Sequence, residues 1–135
     1  MKKLLLVAAL LSGTCHADSV YLGGWSKHLV SGDFNETHNL LAYERNSYVA
    51  GGFKNSFNDN VYFAGKNFTY DLSVFEFGVI AGAMYGYDEQ DAPLLNHNKF
   101  QPMLVPHVTI KTDYFIKPTV LVLGEAVAIT FRIDF

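Results

Sequence analysis

The chain has little cysteine, no excess of basic charge and no long apolar run beyond its first residues. Its one cysteine, Cys15, leaves no partner for an intrachain disulfide. Ten basic and thirteen acidic residues give a formal net charge of −3, and no basic stripe indicates nucleic acid. No His-x-His or His-Glu-x-x-His spacing occurs, so we predict no metal site and no cofactor.

The amino-terminal residues 1–17 predict a secretory signal peptide. A charged start, an apolar run over 4–11 and a small-residue end at Ala17 are typical of such leaders. The apolar run is too short for a membrane-spanning helix. Cleavage after Ala17 leaves one domain, 18–135, without cysteine. The alternative is a lipoprotein that is acylated on Cys15.

Half of the residues are hydrophobic and 15% are aromatic, yet they alternate with polar residues instead of forming runs. The last segment is the clearest case, because Val127, Ile129, Phe131, Ile133 and Phe135 share one face of a strand and polar or small residues share the other. Strands of this kind suit either a soluble periplasmic β-sandwich or an outer-membrane barrel. The aromatic final residue favours the barrel.

Eight strand candidates follow one another along the chain. Their spans are 19–29, 38–48, 49–57, 60–70, 73–87, 99–112, 114–122 and 124–135. Most have the roughly 9–11 residues that a tilted membrane strand needs, and eight is the smallest usual number for an outer-membrane barrel. We therefore predict an all-β protein, an eight-stranded antiparallel up-and-down transmembrane barrel in the outer membrane of a Gram-negative bacterium.

Alternation also predicts which side chains face lipid. Apolar residues are expected outside and polar residues inside. This rule sends outward Tyr21, Trp25, Val49, Phe53, Phe57, Phe75, Phe77, Tyr85, Tyr87, Leu104, Val108 and Ile110. It sends inward Ser26, His28, Lys54, Ser56, Glu76, His107 and Lys111. With a periplasmic amino terminus, the long connections 30–37 and 88–98 both lie outside the cell.

Three residues are candidates for chemistry at the external rim, and two residues of the first external loop are candidates for supporting them. His28 ends the first strand and Ser56 ends the third, and both are expected to face inward. A histidine beside a hydroxyl is the minimum equipment for general-base or nucleophilic acyl transfer. Asn55 precedes Ser56, and Asn35 and Glu36 lie in the first external loop. The alternative interpretation is that the rim of any barrel is polar.

Prolines occur in two consecutive strands, with Pro102 and Pro106 in the sixth and Pro118 in the seventh. Proline removes a donor from the hydrogen-bond ladder, so these strands are expected to pair poorly. The result is either a bulge or irregular edge, or a lateral gap through which a lipid tail could pass.

The chain resembles the outer-membrane lipid A palmitoyltransferase (PagP) family. The residues that carry the resemblance are Phe53-Lys-Asn-Ser-Phe-Asn followed by Phe63-Ala-Gly, His28 ahead of the Asn35-Glu36 pair, the proline-bearing strands and the closing aromatic strand. The family pattern has aspartate where this chain has Asn55. It also has an amino-terminal amphipathic helix, for which no room remains before the first strand.

The resemblance implies transfer of an acyl chain from a phospholipid to lipid A at the external rim. It implies a catalytic histidine, aspartate and serine, which map onto His28, Asn55 and Ser56, and a lateral gate at Pro106 and Pro118. The expected partners are phospholipid, lipid A and the membrane itself, and the expected state is a monomer. The alternative is a non-enzymatic surface barrel for adhesion or receptor blocking, whose loops would carry the function.

Overall fold

The structure is a computed structural model that describes residues 18–88, 97–124 and 126–135. The predicted signal peptide lies outside the described residues, as does most of the predicted loop 88–98. No helix of the described part is long and apolar enough to cross a membrane.

Eight antiparallel strands form one closed barrel in which each strand pairs with its neighbours along the chain. The strands are β1 (Ser19–His28), β2 (Thr37–Arg45), β3 (Tyr48–Lys54), β4 (Asn60–Leu72), β5 (Phe75–Tyr85), β6 (Phe100–Ile110), β7 (Ile116–Leu123) and β8 (Ala126–Asp134). β1 closes the barrel against β8 over the length of both strands. The prediction of an all-β, eight-stranded antiparallel up-and-down barrel is confirmed.

We call the end of the barrel that holds His28 and Lys54 the upper end, and the end that holds Ser19 and Arg45 the lower end. The alternation predicted for β8 is present: Ala128 and Thr130 are buried, whereas Ile129 and Phe131 are exposed. Side chains therefore alternate between the interior and the outer face with a period of two residues, as they do in other barrels.

A bulge in β1 overturns one predicted orientation. The register against β2 shifts between Gly23 and Trp25, where Gly23 and Gly24 take positive φ angles of 87° and 108°. An extra residue in a strand reverses the faces on its two sides. Tyr21 is therefore inside the barrel at 3% exposure, although Trp25 is outside as predicted.

The prediction of the β3 orientations was also wrong. Val49 is 2% exposed and Phe53 packs against the same core, so both face inward and alternation turns Lys54 outward. The rule of apolar residues outside fails here because both residues line an apolar cavity inside the barrel. One further orientation differs at a strand end, because Tyr87 packs against the core. Lys111 pairs with Asp71 at the exposed lower rim, with 3.1 Å between nitrogen and oxygen, and Asp71 lies on the same face of β4 as the buried Asn67.

The lower interior is filled by polar and charged side chains. Arg132, which is 7% exposed, lies 2.5 Å from Glu76 and 2.9 Å from Asp134 in ion pairs. Beside them His107 bonds Asn67 over 2.7 Å, as expected of a hydrogen-bonded interior histidine. Buried charges are tolerated when they are paired, so this network closes the lower end. The barrel thus has an apolar upper interior and a polar lower one.

The ladder between β6 and β7 is short. Among the described residues it consists of three pairs, His107–Leu121, Val108–Val120 and Thr109–Thr119. Continuing the register, the next pair toward the upper end would include Pro106 and the next toward the lower end Pro118. The ladders to the outer neighbours, β5 and β8, continue through these prolines. The missing donors therefore face the β6–β7 seam, which is open above His107.

Candidate functional site

The upper end of the barrel brings together a histidine and a serine that are 28 residues apart. His28 Nε2 lies 2.9 Å from Ser56 Oγ, which is hydrogen-bonding distance. His28 is the last residue of β1, and Ser56 lies in the turn that connects β3 to β4. Two strands and one tight turn therefore fix this contact.

An aromatic pair supports the histidine from one side. The ring of Phe34 stacks on His28 with 3.9 Å between centroids and 14° between planes. The ring of Phe57 meets Phe34 edge to face at 6.0 Å. These contacts limit rotation of the imidazole. Phe34 is not among the residues predicted above. Its sequence signal is that it is aromatic and stands in a polar loop, just before Asn35.

The second nitrogen of His28 decides whether the histidine can act as a base. His28 Nδ1 is buried and has no hydrogen-bond partner among the described residues. To take a proton from Ser56, Nε2 must hold its lone pair, which places the hydrogen on Nδ1. In a serine–histidine–aspartate triad a carboxylate holds that hydrogen. In the described part of this chain the required tautomer has no such support.

Asn55 builds the turn that presents Ser56. It is fully buried, and its Oδ1 accepts hydrogen bonds from the backbone N–H groups of Phe57 and Asp59, both at 2.9 Å. An asparagine that bonds to the chain following it is a common way to form a tight turn. The turn therefore uses the oxygen of Asn55, whereas its Nδ2 has no partner among the described residues.

The two supporting candidates have different surroundings. Asn35 ties the first loop to the turn: its N–H donates to Ser56 O at 2.8 Å and its Nδ2 donates to Asn55 O at 3.1 Å. Glu36 instead pairs with the exposed Lys27 over 3.2 Å. Asn35 thus contacts the backbone of Asn55 and Ser56, whereas the side chain of Glu36 pairs with Lys27.

A recess of about 550 Å³ lies beside the His28–Ser56 pair and opens toward the β6–β7 seam. Its walls include Met84 and Tyr87 from the inside, and Pro102 from β6. Burial raises the pKa of the Tyr87 phenol to about 12, so its hydroxyl keeps its proton at neutral pH. The recess is the place at which a reacting group could meet the histidine.

An apolar cavity lies next to the recess in the barrel interior. Val105 and Leu123 line both spaces, and Tyr21 lines the inner one. The inner cavity measures about 50 Å³, room for a few water molecules if one needs roughly 10–15 Å³. A long acyl chain could enter only if the lining side chains, such as the flexible Met103, moved apart.

The other sequence candidates lie elsewhere. Pro106 and Pro118 flank the short β6–β7 ladder, and that an acyl chain passes there stays a prediction. Gly82 lets β5 lie close to β4, since a Cβ there would collide with the carbonyl oxygen of Ala64. In the described ranges, no group of three or more acidic, histidine or cysteine side chains could hold a metal ion.

Two substitutions of Asn55 test its role in the turn. We expect Asn55→Ala to lower the free energy of unfolding by about 1–3 kcal/mol, because two backbone N–H groups lose their acceptor. Asn55→Asp keeps an acceptor oxygen and should lose less. Urea unfolding in detergent micelles measures both. Equal losses in the two variants would contradict the role of Asn55 in the turn.

The comparisons with known proteins give the chain no relative. No family model, no curated protein and no solved structure matches it.

Proposed function

We propose that this protein is an outer-membrane barrel that transfers an acyl chain from a phospholipid to lipid A. The observation that carries the proposal is the 2.9 Å contact between His28 Nε2 and Ser56 Oγ beside a recess that shares two walls with an apolar cavity. A base, a hydroxyl and a space for hydrocarbon are the parts that acyl transfer needs.

The wall of the barrel supports the location. A closed eight-stranded barrel of this kind is consistent with an outer-membrane protein. Large apolar side chains are exposed around it, including Trp25, Leu41, Tyr62, Phe68, Tyr70, Phe77, Phe100, Leu104, Ile129 and Phe131. Such an apolar surface is unusual for a soluble monomer and suits contact with lipid. The proposed orientation places the upper end outside the cell.

In the proposed reaction His28 moves one proton. Nε2 takes the proton from an attacking hydroxyl, which is that of Ser56 or a lipid A hydroxyl that Ser56 orients. The hydroxyl oxygen forms a bond to the ester carbon of the phospholipid, the bond from that carbon to the glycerol oxygen breaks, and Nε2 returns the proton to the glycerol oxygen. If Ser56 attacks first, a second round moves the acyl group to lipid A.

The open seam supplies a route for the donor chain. Above His107 the described residues of β6 and β7 share no ladder, and the recess reaches the outer wall at Pro102 and Leu104. A phospholipid could slide its tail sideways from the bilayer into the interior without leaving hydrocarbon. The proposed gate includes Pro106, whose missing donor lies at the lower edge of this opening, and Pro118, which limits the three-pair ladder on its other side.

One observation favours a second candidate, a non-enzymatic surface barrel. His28 Nδ1 has no partner among the described residues, and the aspartate of the family pattern is Asn55 here. Such a barrel would keep its fold but transfer no acyl chain. Its function would then depend on the external loops rather than on the histidine and the serine.

Mass spectrometry of lipid A decides between the two candidates. We expect cells that express the protein to gain a lipid A species heavier by one acyl chain, and cells that express His28→Ala to lack most of it. Heat-modifiable migration of the folded barrel controls for insertion. An unchanged lipid A profile with the folded barrel in the membrane would reject the transferase proposal.

A further inference from the structure

The seam between β2 and β3 has no backbone ladder near the upper end. The last paired residues are Leu41 and Gly52, and toward the upper end Asn39 takes a left-handed conformation with φ of 46°. A recess on the outer wall, lined by Asn39 and Lys54 among others, lies where the strands separate. The strand that leads to Ser56 stays paired with β4 as far as Lys54 and Asn60, but on the β2 side its upper part has no ladder to hold it.

His38 supplies a link on this side, from inside the barrel. It is 6% exposed, and its Nδ1 lies 2.6 Å from the carbonyl oxygen of Lys54. A carbonyl oxygen only accepts, so Nδ1 carries a hydrogen. In the neutral ring Nε2 then accepts the O–H of Ser26, whose oxygen is 2.5 Å away. Both nitrogens are thus used, and the tautomer is fixed.

The two partners of His38 are placed next to the candidate site. Ser26 precedes His28 by two residues on β1, and Lys54 precedes Ser56 by two residues along the chain from β3. β1 and β3 do not neighbour each other in the barrel. One imidazole therefore connects the strand of the histidine to the strand of the serine, directly below their contact.

We propose that His38 is a positioning residue that holds His28 and Ser56 at hydrogen-bonding distance. Its effect on acyl transfer rests on the proposed function, but its effect on the geometry of the pair does not. If His38 were replaced, the contacts of Asn35 to the turn would remain as the link near the upper end of the β2–β3 seam. A displacement of about 1 Å between reacting groups can cost 10²-fold in rate.

Ser26 and His38 also have the form of a second nucleophile and base, because a third group orients the base. The surroundings favour support instead. Ser26 is 9% exposed and is not among the residues that line the apolar cavity, whereas His38 is. An ester carbon in the cavity would meet the imidazole before it could reach the hydroxyl.

The test compares two buried histidines. His38→Leu removes the link, and His107→Leu is the matched control, because His107 is also buried and bonded to a side chain but lies in the lower interior. We expect the ring ¹⁵N shifts of His28, measured by NMR in detergent micelles, to move in His38→Leu and to stay in His107→Leu. Acyl transfer should fall at least tenfold in His38→Leu, mainly in kcat.

A conservative variant adds a second check. His38→Asn retains a donor that can reach the Lys54 carbonyl, so it should recover part of the lost rate and part of the His28 shift. Unchanged His28 shifts in His38→Leu would overturn the proposal. Labelling of Ser26 by an alkyl fluorophosphonate, located by peptide mass spectrometry, would overturn it in favour of a second nucleophile. A wild-type protein that transfers no acyl chain would reject the proposed function, while the NMR comparison would still decide the role of His38.

Discussion

Replacing His28 by alanine is expected to lower acyl transfer by about 10²–10⁴-fold, the contribution typical of a positioned general base. The physical reason is that Nε2 is the basic atom at hydrogen-bonding distance from Ser56 Oγ. Without it, the proton of the attacking hydroxyl has no acceptor at the site. The measurement is the initial rate of acyl transfer from phospholipid to lipid A in mixed micelles.

A matched control separates this loss from general damage. His97→Ala removes a histidine that is exposed at the surface and lies apart from the recess, so the rate should stay within a factor of two of the wild-type rate. Ser56→Ala then distinguishes the two roles of the serine. A nucleophile gives a loss similar to that of His28→Ala, whereas a residue that only orients the lipid hydroxyl gives a much smaller one. Full activity in His28→Ala would contradict the proposed mechanism.

Replacing Arg132 by methionine is expected to lower the free energy of unfolding by about 3–5 kcal/mol, as breaking a buried ion pair usually does. Arg132 lies 2.5 Å from Glu76 and 2.9 Å from Asp134, and its side chain is 8% exposed. The variant leaves the largely buried Glu76, whose side chain is 14% exposed, without its cation, whereas Asp134 keeps Lys117 at 2.6 Å. Urea unfolding of the barrel in lipid vesicles measures the change.

Two further variants show that the unpaired charge causes the loss. Lys111→Met breaks the surface pair with Asp71 and should cost less than about 1 kcal/mol. The double variant Arg132→Met/Glu76→Met removes both charges and should regain much of the lost stability, because well-packed apolar residues replace a buried pair at little cost. Equal losses in Arg132→Met and Lys111→Met would show that the lower interior is not held by this pair.

The sequence predicted the barrel because alternation is local. The faces of β8 follow from a period of two residues, and Ile129 and Phe131 are outside as expected. The same rule failed for Tyr21, because the bulge at Gly23 and Gly24 adds a residue, and a bulge leaves no dependable mark in the order of residues. It failed for Val49 because Val49 lines an apolar cavity inside the barrel.

The sequence predicted which residues form the candidate site better than it predicted the contacts between them. Strand count placed His28 and Ser56 at one end of the barrel, and the structure brings them to 2.9 Å. The parity expected for β3 was wrong, and Ser56 reaches the histidine from the turn that follows the strand. Parity could not show that the oxygen of Asn55 would be used by its own turn. Nor could it give His38 a role, because a strand-end histidine becomes a link only once the β2–β3 seam has opened. Such contacts depend on the closed barrel rather than on neighbouring residues.

The short β6–β7 ladder also affects how the barrel moves. A closed barrel is stiff, and it deforms most easily where two strands share the fewest hydrogen bonds. Here three residue pairs flanked by Pro106 and Pro118 join two strands that are otherwise held only by their outer neighbours. Local opening needs the least free energy at such a place. The wall would therefore widen and narrow at this seam, while the long ladders that join β4 to β5 and β5 to β6 stay closed.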